Sequence, residues 1–294
     1  MKKRIKQLML HLLKKHALSR MPLSSELAKL GNYYHEYYYN VNHNPIENGE
    51  YWLLNMAAAQ EADIIDVGAF IGEYSNYFLT HARQGRVIAV EPSIESYAAL
   101  CSNLRSYICE ANCAASRLLL FNCAASENDT DLEYFYSSTH PNGSTLNHAF
   151  ANQPEFTSSN EFILRLVQAK SLDSIILASG LQMEAVALLK IDAEGHENAV
   201  LRGACNVLKT VGIVQIEYGM HNLSKRWLLK DIYCEYSSRF HIGRLYPSSI
   251  VISKDYDPKW EDFKGRNLVM LNKSSDAHPF AKSMLARKDS VFWL

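Results

Sequence analysis

Asp63-Ile64-Ile65-Asp66-Val67-Gly68-Ala69-Phe70-Ile71-Gly72-Glu73-Tyr74 reads as a buried strand that ends in a carboxylate, turns through glycines and opens a helix. Ile64, Ile65 and Val67 supply the apolar, β-branched run required of a strand covered on both faces. Gly68 and Gly72 have no Cβ, so a ligand can approach the turn and the helix can pack near the strand. N–H groups exposed at the helix start favour an anionic group.

A second acidic residue, Glu91, closes the next strand, Val87-Ile88-Ala89-Val90. Ends of neighbouring strands in a doubly wound sheet lie side by side over the crevice where nucleosides bind. Glu91 is therefore placed to accept hydrogen bonds from two ribose hydroxyls. The glycine spacing, Asp-x-Gly-x-x-x-Gly, departs from the three-glycine fingerprint that a dinucleotide pyrophosphate needs. S-adenosylmethionine suits the pattern better, since it has a ribose for Glu91 and only an amino-acid tail for the turn.

The chain has 294 residues, 48% of them hydrophobic and 21% charged, which describes an ordinary soluble globular protein. A net charge of −1 gives no reason to expect nucleic acid as a partner. Cys101, Cys109, Cys113, Cys123, Cys205 and Cys234 are scattered without paired CxxC spacing. They read as reduced, mostly buried thiols of a cytoplasmic protein, and no metal site is expected. No apolar run approaches the roughly 20 residues needed to span a bilayer.

Composition divides the chain into an N-terminal helical, tyrosine-rich extension, residues 1–50, and a domain spanning residues 51–294. Within residues 1–20, Ile5, Leu8, Met9, Leu12 and Leu13 recur at helical spacing beside Lys2, Lys3, Arg4, Lys6, Lys14, Lys15 and Arg20. Such a helix can lie on an anionic membrane surface, or pack on its own domain with a solvated basic face. Tyr33, Tyr34, Tyr37, Tyr38, Tyr39 and Tyr51 then suit packing between a helix and the sheet edge, or a lid over an aromatic or sugar pocket.

From residue 62 strand and helix patterns alternate. Strands are expected near 63–67, 86–91, 118–122, 186–191 and 211–217, and helices near 72–83, 94–106, 196–209 and 222–237. That order predicts an α/β doubly wound sheet with parallel strands. Apolar runs near 249–253 and 267–271, with Asp255-Tyr256-Asp257-Pro258-Lys259 between them, predict a closing antiparallel hairpin. The polar insertion 137–160 is expected to be a mobile loop near the site mouth or a solvated excursion.

Ala187-Leu188-Leu189-Lys190-Ile191-Asp192-Ala193-Glu194-Gly195-His196-Glu197 repeats the opening logic: an apolar strand ends in a carboxylate, and a glycine turn opens a helix. Asp192 should therefore face the same crevice as Asp66 and Glu91. Glu194 and Glu197 also suit a first helical turn, where the dipole favours anions.

Asp66 to Gly72, Val90-Glu91-Pro92, Cys123-Ala124-Ala125-Ser126, Ser171-Leu172-Asp173 and Lys190 to Glu197 together resemble the FkbM-type family of S-adenosylmethionine-dependent methyltransferases. The resemblance runs in order from about residue 50 to 220 and is most distinctive in the Lys-Ile-Asp-x-Glu-Gly-x-Glu block. It implies the class I methyltransferase (Rossmann-like) fold, mostly parallel with an antiparallel C-terminal edge. It also implies that Asp66, Gly68 and Gly72, with Ala69 and Phe70 between them, hold the amino-acid end of the cofactor. Glu91 and Pro92 would lie at the ribose, and Asn122, Cys123 and Ala124 at the adenine. Asp192 would stand near the cofactor's amino group or the acceptor, with Glu194 and His196 on the acceptor side. Where the family usually has Gly-Ala-Asn, Phe70 replaces the asparagine and removes one polar contact to the cofactor tail.

The implied chemistry is O-methylation of a small-molecule or glycan acceptor, with His196, or Asp192 through it, taking the hydroxyl proton. A non-catalytic binding or scaffold protein on the same fold is the alternative, and a nicotinamide-dependent oxidoreductase the less favoured one. Oligomeric state is not encoded in these motifs.

Overall fold

Two units divide the chain, Met1–His43 and Asn44–Leu294. The structure is a computed structural model and describes residues 2–19, 24–38, 40–108, 116–151 and 162–294. The first unit holds helices α1 (Lys2–Ser19) and α2 (Ser24–Tyr38). Their junction is tied by the Ser24 hydroxyl, which lies 3.2 Å from both the His16 carbonyl oxygen and its ring Nδ1. The division falls ahead of the compositional boundary because residues 44–50 pack with the α/β unit. At Gly49, where φ is +102°, a Cβ would stand only 2.2 Å from the Tyr246 carbonyl oxygen.

In the second unit, helix α3 (Glu50–Ala58) leads into β1 (Asp63–Val67), α4 (Glu73–His81), β2 (Val87–Val90), α5 (Ile94–Asn103) and β3 (Leu118–Phe121). A small sheet follows, made of β4 (Ala124–Ser126), β5 (Thr130–Ser137) and β6 (Phe162–Ser171). The chain then returns through β7 (Val186–Ile191) and β8 (Ile213–Gly219), and ends in β9 (Phe240–Tyr246), β10 (Ser249–Ser253), β11 (Lys264–Asn272) and β12 (Val291–Trp293). The large sheet has nine strands in the order β12-β10-β9-β11-β8-β7-β1-β2-β3. Neighbours among β3, β2, β1, β7 and β8 run parallel, as the strand–helix alternation predicts.

The continuous apolar runs exist because both faces of the sheet are covered. Ile65, Val67, Ile88, Val90, Leu189 and Ile191 enter one core, while Ile64, Val87, Ala89 and Leu188 enter the other. Alternate residues of a strand point to opposite faces, so strands loaded this way must be central. Their C-terminal ends open together on one edge, where β1, β2 and β7 stop at Val67, Val90 and Ile191.

Three expectations need correction. The runs near 249–253 and 267–271 do not pair: β10 forms its hairpin with β9, and β11 inserts antiparallel between β8 and β9. The reason is the overlooked strand Phe240–Tyr246, whose turn into Ser249 is shorter than the Asp255–Lys259 segment. The helix expected over 196–209 breaks into Glu197–Arg202 and Val207–Thr210; the break begins at Gly203, where the chain passes so close to β4 that a Cβ would lie 1.9 Å from the Ser126 carbonyl oxygen. The helix expected over 222–237 likewise splits into Met220–Ser224 and Leu229–Tyr236, around Arg226 at φ 55°.

Thr145 and Asn147, from the first half of the 137–160 insertion, anchor to the domain rather than leaving it. The Thr145 hydroxyl donates to the Glu194 carbonyl at 2.6 Å, and Asn147 Nδ2 donates to the Ser224 hydroxyl at 2.6 Å and the His221 carbonyl at 3.2 Å. Residues 152–160 of the insertion, and Cys109 and Cys113, lie outside the described residues. Of the described cysteines, Cys123 is buried, Cys101 is half-buried, and Cys205 and Cys234 are exposed, so the thiols are less buried than expected. Among the described residues no helix is long and apolar enough to cross a membrane.

Candidate active site

The first turn is built from the inside. Its amides are largely consumed by the protein: Gly68 and Ala69 donate to the Val90 carbonyl, Gly72 donates to the Ala69 carbonyl, and Phe70 donates to Glu91 Oε2. The anion-favouring amides expected at the helix start are those of Glu73, Tyr74 and Ser75, which precede the first helical bond, Asn76 N–H to the Gly72 carbonyl. Each glycine makes room for protein atoms. A Cβ on Gly68 would stand 1.8 Å from the Asp192 carbonyl oxygen, and one on Gly72 would stand 2.5 Å from Leu100 Cδ1 of α5.

Gly68 thus lets the β1 and β7 turns touch, a contact that the Asp192 N–H reinforces by donating to the Val67 carbonyl at 3.0 Å. Its φ of +77° adds a second reason for glycine. Gly68→Ala is expected to destabilise by more than about 2 kcal/mol, from overpacking and left-handed strain together. Denaturant unfolding of the variant measures this; a loss near zero would show that the two turns separate freely.

Glu91 sits at the mouth of this turn, buried, with Oε2 taking the Phe70 N–H and Oε1 taking the Ser93 N–H, each at 2.8 Å. Burial raises its pKa to about 7, against those two amides. Two lone pairs remain for hydroxyl donors. Asn122 Nδ2 donates to the Glu91 and Pro92 carbonyls, fixing the loop behind the carboxylate. Cys123 and Ala124 follow, both buried, and burial pushes the Cys123 thiol up to about 11, so it stays protonated.

Behind the turns lies a buried charge cluster. Lys190 Nζ is 3.0 Å from Asp192 Oδ2 and 3.9 Å from Asp66 Oδ1. Asp66 Oδ2 accepts from the Ser75 hydroxyl at 2.7 Å. Burial raises the Asp66 pKa, with Lys190 pulling the other way. Burial alone would lower the lysine pKa, but Asp192 and Asp66 hold it above its usual range. Asp66 is thus placed with Asp192 as expected, joined by a lysine.

The second turn carries the remaining acidic groups. Glu197 is a clamp: its Oε1 accepts from the Ala193 and Gly195 amides, and Asn222 Nδ2 donates to its Oε2. Glu194 adopts a left-handed φ of 50° and pairs with Nδ1 of His221. Burial lowers the His221 pKa, but the Glu194 carboxylate beside it raises it overall. His196 points elsewhere: its Nε2 lies 2.9 Å from the Ser126 hydroxyl, and burial lowers its pKa to about 4, so the ring is neutral.

Two residues overlooked in the sequence complete the cluster. Glu217, near the end of β8, shares a hydrogen bond with Asp192; burial, and then the charges of Asp192 and Glu194, hold its pKa well above the carboxylate range. It could have been found, because Ile-Val-Gln-Ile-Glu is a further apolar strand running into a carboxylate. His221 had no such signal; only the contact of the helix Met220–Ser224 with the turn after β7 brings it to Glu194. Oxygens of Asp192, Glu194 and Glu217 lie within 4.8 Å of one another, a spacing that one hard cation could bridge. Lys190 already supplies positive charge there through Asp192.

Parallel strands in the order β3-β2-β1-β7-β8, with β11 antiparallel between β8 and β9, define a Rossmann-like class I methyltransferase fold. The sequence profile of the Methyltransferase FkbM domain matches residues 66–251. The chain belongs to the FkbM methyltransferase family. No curated protein matches it. Among solved structures, a methyltransferase FkbM from Methylobacillus flagellatus KT is similar at 20% identity and a TM-score of 0.44, over 71% of this chain and 43% of that one. The protein thus spans less than half the length of that relative. An O-methyltransferase from Bacillus cereus, solved with SAH, is similar at 14% identity and a TM-score of 0.42, over 85% of this chain and 90% of that one. TomG from Streptomyces achromogenes, an O-methyltransferase involved in tomaymycin synthesis and solved with SAM, is similar at 9% identity and a TM-score of 0.39, covering 76% and 79%.

Proposed function

We propose that the protein is a cytoplasmic S-adenosylmethionine-dependent O-methyltransferase acting on a hydroxyl of a sugar, glycan or related natural product. The observation that carries this reading is Glu91: a carboxylate anchored by the Phe70 and Ser93 amides at the end of β2, beside the β1 turn. The donor set fits the cofactor, with Glu91 for ribose hydroxyls, the first amides of α4 for a carboxylate, and Asp192 for an ammonium group, while Asp66 stands fully buried behind it with Ser75 and Lys190. Bound there, the cofactor supplies an activated methyl group that an acceptor oxygen takes by in-line displacement.

The chain's own work is positioning, water exclusion and proton removal. As the acceptor's C–O bond forms, its hydroxyl proton goes to His221 Nε2, with Glu194 holding Nδ1–H and offsetting the ring's positive charge. His196, neutral and bonded to Ser126, holds the second turn against β4 and acts as a positioning residue. Asp192, bonded to Lys190 and Glu217, orients the ligands from the strand end. A sugar or natural-product acceptor is supported by the family alone.

Titration calorimetry of S-adenosylmethionine and its demethylated product tests the reading. Micromolar binding by the wild type is expected, weakened at least about 100-fold in Glu91→Ala through loss of charge-assisted bonds to two hydroxyls. No binding by the wild type would sink the enzyme reading and favour a scaffold, with Phe70 closing the tail site.

A further inference from the structure

Charge in this chain is divided between its two units. Residues 1–43 carry eight Lys and Arg against Glu26 and Glu36, while residues 44–294 carry 22 basic and 29 acidic groups. A nearly neutral protein is therefore an acidic domain joined to a strongly cationic helical hairpin.

The hairpin also exposes large apolar side chains on both helices. Leu8, Met9, Leu12 and Leu13 of α1, and Leu27, Leu30, Tyr34 and Tyr37 of α2, are between 48% and 72% exposed. At about 100° per residue, Leu8, Met9, Leu12 and Leu13 form one stripe along α1. On that helical projection Lys6 and Lys15 border the stripe on either side, and Lys14 lies opposite. On α2, Leu27, Leu30, Tyr34 and Tyr37 share one face, while Lys29 and the bonded pair Asn32 and Glu36 occupy the other.

We propose that the α1–α2 hairpin is a docking surface for an anionic lipid bilayer, with the leucine and tyrosine faces in the headgroup–acyl boundary and the lysines on lipid phosphates. Lysines bordering an apolar stripe can bury their stems while the ammonium groups stay with the headgroups. Tyrosine suits the same depth, with an apolar ring and a polar tip. Nucleic acid would take the charge but leave the leucines in water. A second copy would cover the leucines but bring two cationic hairpins together. The proposal does not rest on methyl transfer, and its test does not use turnover.

The test is sedimentation of the full chain with phosphatidylcholine vesicles, with and without phosphatidylserine. Binding is expected to the phosphatidylserine vesicles alone and to fall at least about tenfold when salt is raised to about 0.5 M. Lys6→Glu with Lys15→Glu, the two lysines that border the stripe, is expected to weaken it at least about tenfold. Leu8→Asp with Leu12→Asp is expected to abolish it, leaving the thermal midpoint of the α/β unit in place. Tyr34→Ser with Tyr37→Ser, on the other helix, should weaken it as well, which guards against an effect confined to α1 folding. Absence of vesicle binding by the wild type overturns the proposal, as does binding that ignores both the lipid charge and these variants. A dimer in light scattering that the Leu8→Asp/Leu12→Asp variant dissolves, with no vesicle binding, assigns the surface to a second copy instead.

Discussion

Lys190→Met is expected to destabilise the protein by about 3–5 kcal/mol, the usual consequence of leaving a buried charge uncompensated. Asp66 is fully buried, and its Oδ1 has no hydrogen-bond partner among the described residues; the ammonium group 3.9 Å away is what offsets its charge. Asp192 loses its 3.0 Å partner in the same variant. At roughly 2–4 °C per kcal/mol for a domain of this size class, Tm should fall by about 10 °C. The sign of the pH dependence follows from Asp66, whose folded pKa is already raised by burial. Stability tied to its neutral form is present at low pH and lost as pH rises through the folded value. Removing Lys190 raises that value further, so the variant's deficit should shrink in acid. Asp66→Asn in the Lys190→Met background should recover a large part of the loss. A double variant no more stable than Lys190→Met would show that the lysine acts through packing alone.

The second large effect is kinetic. His221→Ala is expected to lower kcat by about 10²–10⁴-fold, the contribution of a positioned general base, while S-adenosylmethionine affinity stays within about twofold of wild type. A base must be unprotonated to act, so activity should rise with pH through the His221 pKa, which Glu194 holds above 6.5. Glu194→Gln removes that carboxylate, and the rising limb should move to lower pH while the maximum falls. His196→Ala should lower the rate less and leave the limb where it is, because that ring's pKa is near 4. A limb that follows His196 instead of His221 would reverse the assignment. These profiles require a methyl acceptor, which a search among sugar hydroxyls should supply.

These assignments show what sequence can carry. Strands built from Ile64, Ile65 and Val87 to Val90 are legible because burial on both faces forces an unbroken apolar run. Asp66, Glu91 and Asp192 are legible as well, since each ends or follows such a run and parallel strands deliver their ends to one edge. Glycine was legible as a need for space but not as to what fills it. Gly68 admits the Asp192 backbone and Gly72 the α5 leucines, which no local spacing could announce. His196 stood next to the acidic turn in sequence, yet its ring reaches Ser126. His221 lies 27 residues after Glu194 and becomes its partner only because the short helix Met220–Ser224 after β8 lies against the turn after β7. Pairings of the last strands were similarly hidden, because β-register depends on partners that arrive from elsewhere in the chain.

Because β11 fills the gap between β8 and β9, the last part of the sheet is assembled out of chain order. During synthesis the outer edge of β8 and the β9–β10 hairpin emerge first, each with a row of unmatched backbone amides. Only when residues 264–272 leave the ribosome can one strand satisfy both edges at once. Pairing of β11 with β8 is non-local, since β9 and β10 lie between them in the chain. It also means that the strand bearing Glu217 takes its outer neighbour from a part of the chain made after β1, β2 and β7.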